Sequence, residues 1–510
     1  MVAASGNSIL PAASTIAVRQ TREAWEVMVV ARASSLRFFG GFHAFPGGKI
    51  GAVDVPPASH GVDVTQAQWA AARELFEETG ILLARDQGGR LAQVGPEERD
   101  RWRSQLIDEK VTFHEFLSTF QLIISPADFH LAGHLITPPF SPIRFDTAFF
   151  LIRFNAGEPS EPQIWPGELD HGEWCRARLL LSRWRAGECL ISPPTLLMLE
   201  ALADAAWDEI ELRLREHLVA QASATLPPIY FSPGVRYIPL KTAALPPSTH
   251  TNAYLIGKSE GYLLDPGTSD PGEKEVLFAI IDQYLSSGGR LNGILVSHQH
   301  EDHVGSVQDC ARRYHVPVLA HSHTARALIG KVTVDATLQD GERLVLGSCP
   351  DGRGEWHLQV LHTPGHAAGH LAFYEAHYQL LFAGDMVSTQ TSVIIAPPEG
   401  HLVTYLESLR RLRSLPARLL LPSHGTPTSR CHATIDEALA HRAKREAMLL
   451  AALQEAPRTI SELAMELYRG VPDVLLQLAE LQVLAGLQKL EDEGRVTSAA
   501  DQHWRISGCT

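Results

Sequence analysis

The sequence predicts a multi-domain α/β chain: two successive layered α/β domains and then a small helical module. Three observations lead there. The chain has 510 residues, more than one core ordinarily organises, so about two to four domains are expected. Strand-like and helix-like runs alternate through two long stretches separated by the proline-rich, charge-poor segment ATLPPIYFSPG. Beyond about residue 430 the strands give way to amphipathic helices.

Bulk composition limits the function classes. Hydrophobic residues make up 45% and charged residues 20%, which fits a folded globular chain and excludes wholesale disorder. A formal charge of -14 disfavours a protein that coats nucleic acid or an anionic membrane through its overall field. Small anionic substrates would then need local cations or metals, and no membrane partner is expected. The six cysteines (Cys175, Cys189, Cys310, Cys349, Cys431 and Cys509) include no Cys-x-x-Cys pair, so they read as ordinary thiols rather than a disulfide framework or a cysteine zinc cluster. The N-terminus lacks the basic region and apolar core of a secretory signal, and no uncharged apolar run approaches membrane-spanning length. The expected location is cytoplasmic.

The elements follow in order. Residues 12–205 mix strand-like runs (Trp25–Ala31, Thr147–Phe154) with a helix over Gln66–Thr79, giving a first α/β domain. The end of a helix-like stretch around Leu196–Ala222 and a linker occupy 206–229, with the main boundary near Leu226–Phe231. Residues 230–430 form a second α/β domain, whose short strands end in small, polar or histidine-containing loops, with helices at Lys274–Leu285 and Leu402–Leu415. Residues 431–510 carry helices at Thr434–Leu453 and Val474–Glu493, a capping box Thr459–Glu462, and a possible hairpin of Arg495–Ala499 with Gln502–Ile506, a winged-helix-like pattern.

The first chemical motif is the run RELFEETGI, Arg73 to Ile81. Its helix opens on a capping-box form at Thr65–Gln68 and stops at Gly80, so Glu74, Glu77 and Glu78 share one face. Carboxylates at i, i+3 and i+4 repel, which weakens a bare helix by a few tenths of a kcal/mol per pair. A divalent cation reverses that penalty, and Mg²⁺ commonly joins carboxylates to substrate phosphates. Arg73 can pair with Glu77 at i+4.

With Phe45-Pro46-Gly47-Gly48 ahead of it, this run resembles the Nudix box, which joins a glycine turn to R-E-x-x-E-E-x-G. One element departs: a long stretch separates Gly48 from Arg73, and Thr65 stands where most boxes place a glutamate. Long-insert boxes of this kind resemble the peroxisomal coenzyme A diphosphatase group of Nudix hydrolases. That group's upstream pattern R-[SA]-x3-R-x3-G-x3-FPGG falls on Arg32-Ala33, Arg37, Gly41 and Phe45–Gly48, although its preceding Leu-Leu-Thr is Met28-Val29-Val30 here. LITPPFSPIRFDTAFFLIRF and PPTLLMLEAL also resemble that group. The resemblance implies a Nudix α/β/α sandwich in which Glu74, Glu77 and Glu78 bind Mg²⁺ or Mn²⁺. One of them, or a loop carboxylate such as Glu173, would activate water, while Arg32 and Arg37 bind a substrate phosphate.

In the second domain, the strand-like Gly293–Ser297 is followed at once by His298, His300, Asp302 and His303, before a helix expected near Val304. Imidazoles and a carboxylate at this density suit Zn²⁺, with Fe or Mn as competitors. Three later segments repeat the design, placing His366, Asp385 and His424 after strands. With Asp265 in YLLDPG ahead of it, this order resembles the metallo-β-lactamase superfamily and implies an αβ/βα sandwich. By that resemblance His298, His300 and His366 hold one metal and Asp302, His303 and His424 another, bridged by Asp385, with Asp302 and Asp385 counted as catalytic. Asp265 and His370 would orient ligands, and His321 and His323 match no ligand position. The tail resembles a lactamase-β-like subgroup with endoribonuclease activity, and its segment AHRAKRE, with Arg410, Arg411 and Arg413, would face RNA in that reading.

The leading expectation is a bifunctional hydrolase. Its first half would split the diphosphate of coenzyme A or a related nucleoside diphosphate derivative, and its second half a thioester or phosphoester. One alternative makes the second half an endoribonuclease with the first acting on RNA ends or nucleotides. Another makes both folds non-catalytic ligand sensors, which the intact ligand sets disfavour.

Overall fold

The computed structural model describes residues 9–57, 63–141, 143–155, 157–158, 161–222, 228–472, 475–499 and 502–508. Leu226 of the expected boundary, the helix start Val474 and Cys509 lie outside them. The chain divides into two compact units between Pro233 and Gly234.

In the first unit a mixed sheet runs in the order His130–Ile136, Phe145–Phe154, Leu10–Gln20, Trp25–Arg32, Phe42–Ala44, Leu190–Ile191. Gly47–Lys49 and Leu169–Cys175 pair off the central strands. Side chains alternate across it, so each strand feeds two cores. Ala13, Ala17 and Met28 meet Trp69, Leu75 and Phe76 of the helix Gln66–Thr79 on one face, while Ile16, Val18, Val27 and Val29 meet Leu180, Leu199 and Leu214 on the other. Helices therefore cover both faces of the sheet.

The helix Gln66–Thr79 has the expected bounds. Thr65 Oγ1 accepts from Gln68 N, the Gln68 side chain accepts from Thr65 N, and Gly80 ends the helix at φ 71°. The stretch expected as helix-like across Leu196–Ala222 is interrupted. Helices span Pro193–Leu202 and Ile210–Ala222, and the segment between them is held where Trp25 Nε1 donates to Ala205 O at 3.0 Å. The later helix is no linker, since Ile210, Leu214 and Leu218 are buried in the core of this unit.

The second unit stacks two sheets. One orders Ala336–Leu338, Val318–His321, Arg290–Val296, Glu260–Leu264, His250–Gly257 and Val235–Lys241; the other orders Arg343–Ser348, Glu355–His362, Leu371–Glu375, Leu380–Gly384 and Leu419–Pro422. Tyr254 and Phe382 meet edge-on between the sheets, with ring centroids 5.2 Å apart. The helix Pro271–Ser286, with Leu277 and Ile281 buried, belongs to the first sheet's side, and Leu402–Arg413 covers the outer face of the second. The helix expected near Val304 is broken: a single turn, Glu301–Val304, precedes the helix Val307–Tyr314. Gly305 sits there, where any side chain would strike the carbonyl of Gly267.

A C-terminal core of Leu449, Leu453, Leu463, Leu467, Val483, Leu487 and Trp504 joins helices Cys431–Glu455, Ile460–Leu467 and Leu476–Asp492 to the hairpin Val496–Ser498 and Trp504–Ile506. The expected RNA-facing arginines are largely committed elsewhere. Arg442 is buried, with its guanidinium on Val393 O, Gln482 and the Tyr405 ring, and Arg445 donates to Leu467 O over the Tyr468 ring. Arg411 pairs with Asp340 and Arg413 with Asp436. Among the described residues no helix is long and apolar enough to cross a membrane.

Candidate metal centres

In the first unit, the glycine turn lies against the carboxylate helix. Gly47 N donates to Glu78 Oε2 at 3.0 Å, and Gly48 lies so close to the Glu74 carboxylate that a Cβ there would push it aside. Arg73 reaches Glu74 at 2.9 Å, Glu77 at 2.7 Å and Asp54 at 2.7 Å. Burial pushes Glu74 up to about 7 against the pull of Arg73. Burial, reinforced by the charge of Glu74, pushes Glu78 up to about 8, and burial also raises Glu77. All three carboxylates thus ionise reluctantly: Glu74 and Glu77 share Arg73, and Glu78 accepts from one backbone N–H, that of Gly47.

Arg32 ends the strand Trp25–Arg32, and its charge acts on Glu78, while Arg37 is exposed on the following loop. Glu173 is not a loop carboxylate. It lies on the strand Leu169–Cys175 opposite Val29, hence on the sheet face away from the carboxylate helix, and pairs with Arg183 at 2.6 Å. The loop carboxylate whose charge reaches Glu77 and Glu78 is Glu168, which sequence reasoning missed by five positions because parity on a strand depends on its register. Asp54 was also missed. It sits between Gly48 and Arg73 with its side chain fully buried, and gives Arg73 a carboxylate partner.

In the second unit, His298, His300, His366 and Asp385 offer ligand atoms within 4.8 Å of one another, as do Asp302, His303 and His424. Each arrives from the end of a strand or from the helical turn after one. His300 Nδ1 lies 2.9 Å from His298 Nε2 and 3.1 Å from His366 Nε2. Asp385 joins the groups: Oδ2 is 3.5 Å from His366 Nε2, while Oδ1 is 3.5 Å from His303 Nε2 and 3.3 Å from His424 Nε2. Asp302 Oδ2 is 3.3 Å from His424 Nε2.

The outward-facing atoms are held. His303 Nδ1 meets Asp265 Oδ2 at 2.9 Å, His366 Nδ1 the Ile394 carbonyl at 2.8 Å, and His424 Nδ1 the His250 carbonyl at 3.1 Å. Asp385 N donates to His370 Nε2 at 3.0 Å, so His370 orients the bridging residue; Gly384, at φ 54°, leaves room for its ring. Thr251 Oγ1 donates to Asp302 and Ser297 Oγ to Asp265, two partners that carried no sequence signal. His321 stacks on His362 at 4.1 Å and joins neither group.

Burial and neighbouring imidazoles push His298 well below its ordinary range, and burial lowers His366 to about 4, leaving both in the neutral form that ligates. Burial opposes charge on His303 and His424, but Asp302 and Asp385 overrule it, raising His303 well above its usual value and His424 to about 10. His303 Nε2 and Asp385 Oδ1 are buried without a hydrogen-bond partner. Nitrogen and oxygen donors that converge with orphaned atoms between them fit a pair of transition-metal ions.

Residues 247–424 match the Metallo-beta-lactamase superfamily, and residues 459–504 the Beta-lactamase associated winged helix domain. The chain is 26% identical over 264 residues to "Lactamase-like protein adaB" of Aspergillus niger, covering 48% of this chain and 76% of that one. It is 29% identical over 261 residues to "Atrochrysone carboxyl ACP thioesterase nsrC" of Aspergillus novofumigatus, covering 48% and 75%. A crystal structure of a Nudix hydrolase from Alicyclobacillus acidocaldarius is 31% identical with a TM-score of 0.35, covering 40% of this chain and 96% of that one. The second unit thus carries a metallo-beta-lactamase domain and a beta-lactamase-associated winged helix, which makes it a metallo-beta-lactamase-fold hydrolase.

Proposed function

We propose that the chain is a bifunctional hydrolase whose first unit is a Nudix-type diphosphatase acting on coenzyme A or a related nucleoside diphosphate derivative, and whose second unit hydrolyses a thioester. The observation that carries the first half is the placing of Glu74, Glu77 and Glu78 on one helix face beside Gly47-Gly48, with Arg73 holding Glu74 and Glu77 and Gly47 N donating to Glu78. These carboxylates would hold Mg²⁺ or Mn²⁺, which supplies charge neutralisation of the diphosphate and an activated water. Arg32 and the exposed Arg37 would take phosphate oxygens, and Glu168, whose charge acts on Glu77 and Glu78, would take the water's proton.

In the second unit His298, His300, His366 and Asp385 would hold one ion, and Asp302, His303, His424 and Asp385 another. Two Zn²⁺ (or Fe or Mn) ions there supply a hydroxide and stabilise the oxyanion of acyl transfer. Asp265 and His370 keep His303 and Asp385 aligned while charge develops. The thioester reading draws on the relatives named as thioesterases. It also joins the halves chemically, because an acyl-CoA carries both a diphosphate and a thioester. RNA gains no support from Arg442 and Arg445, which face inward.

Chromatography of the products tests this. Coenzyme A with Mg²⁺ should give adenosine 3′,5′-bisphosphate and a 4′-phosphopantetheine product, and an acyl-CoA with Zn²⁺ should release its acid. Robust cleavage of ADP-ribose or a dinucleotide with coenzyme A inert would sink the substrate assignment and leave the diphosphatase chemistry standing.

A further inference from the structure

Within the second unit a further cluster lies apart from the His/Asp groups. Cys349, at the end of the strand Arg343–Ser348, is 3% exposed, and the turn after it folds Asp351 back beside it: Gly352 N donates to Cys349 O at 2.8 Å and Cys349 N to Gly354 O at 3.0 Å. His377 projects from the tight connection between the strands Leu371–Glu375 and Leu380–Gly384, where Glu375 accepts from His377 N and Tyr378 N at 2.7 and 2.8 Å. Its Nε2 lies 2.8 Å from Asp351 Oδ2, and ligand atoms of all three residues fall within 4.8 Å of one another.

The place in the fold sets the role. The strand Glu355–His362 pairs antiparallel with Leu371–Glu375, so the end that leads on to His366 is opposite the end beside Glu375 and His377. Eight residues of strand separate the ends by roughly 25 Å. Nothing bound here touches the reacting atoms. The Asp351 side chain is only 5% exposed, and beyond His377 its ion-pair partner is Arg353 at 3.9 Å. A thiolate and a buried carboxylate together carry the charge that one dication neutralises, and the mix of sulfur, nitrogen and oxygen donors suits a borderline transition metal. The His377 side chain, 31% exposed, leaves room for a water as fourth ligand.

We propose that Cys349, Asp351 and His377 form an additional, structural site for one Zn²⁺ or similar divalent transition-metal ion, which pins the turn after Arg343–Ser348 to the neighbouring hairpin.

Cobalt separates this site from the binuclear centre, whose donors are imidazole and carboxylate only. The full chain stripped of metal and titrated with Co²⁺ should bind an equivalent that brings a thiolate-to-cobalt charge-transfer band. Cys349→Ser should abolish that band, and His377→Ala should weaken that equivalent at least tenfold, while the other equivalents and their spectrum are unchanged. No thiolate band in the wild-type chain, or one that survives Cys349→Ser, overturns the proposal and leaves a purely hydrogen-bonded turn. Should Cys349→Ser fold poorly, the surface substitution His377→Ala decides, since unchanged affinity of the thiolate-linked equivalent is equally fatal. Neither result bears on the sites assigned under the proposed function.

Discussion

Arg73 grips Asp54 through two hydrogen bonds, Nε to Oδ1 at 2.7 Å and Nη2 to Oδ2 at 3.1 Å, and so ties the long insert to the carboxylate helix. The Asp54 side chain is fully buried. Removing Arg73 strands a buried carboxylate, which typically costs about 3–5 kcal/mol. Arg73→Ala should therefore lower the unfolding free energy of the first unit by that order, seen as a drop in its denaturant midpoint, and Asp54→Asn by less. A midpoint that Arg73→Ala leaves unmoved would show that the pair contributes orientation alone.

The two centres assigned under the proposed function should be separable. Glu77→Gln is expected to lower diphosphate hydrolysis roughly 100-fold or more and to spare the second activity, while His300→Ala does the reverse. Both activities measured on each folded variant give the answer. Loss of both from either single change would refute the assignment of two independent sites.

Acid-base behaviour of the first site has a definite sign. In the metal-free protein, burial raises Glu74 to about 7 and Glu78 to about 8 from an ordinary 4.5. Folded pKa values above the unfolded ones mean that their stabilising contribution is complete below about 4.5 and is lost as pH rises through 7 to 8. Chelator-treated protein should thus melt lower as pH climbs from about 6 to 9, and Mg²⁺ should remove that decline by taking the place of the protons. Melting curves that respond to pH identically with and without Mg²⁺ would rule out these carboxylates as the metal site.

Asp265 acts through His303. Asp265→Asn keeps the size but weakens the contact at 2.9 Å, so the ion held by Asp302, His303 and His424 should bind about 10–100-fold less tightly, while the other is retained. Competition with a chromophoric chelator would resolve two affinities where the wild type shows tight binding of both. Equal weakening of both ions would mean that Asp265 supports the loop as a whole.

Short-range pattern made much of both sites readable. The helix Gln66–Thr79 could be bounded from Thr65 and Gly80, and its spacing alone put Glu74, Glu77 and Glu78 on one face. The histidines of the second site were likewise readable, because each follows a compact apolar run that could only be a strand. Asp54 and Thr251 were not, since nothing local distinguishes them from any other polar residue until Arg73 and Asp302 arrive beside them.

By itself, the sequence determined which side chains share a helix face or stand at a strand end, since those follow from backbone periods of 3.6 and 2 acting over a few residues. Only the tertiary structure decided which of them meet. Sheet register sent Glu173 to the far face and left Glu168 near Glu77 and Glu78. Helix docking turned Arg442 into the interior and away from solvent. Strand pairing set Asp385 between the histidine groups of His298 and His366 and of His303 and His424, and brought His377 against Asp351, 26 positions away in the chain. Such contacts depend on the packing of whole sheets, a long-range outcome that no local period encodes.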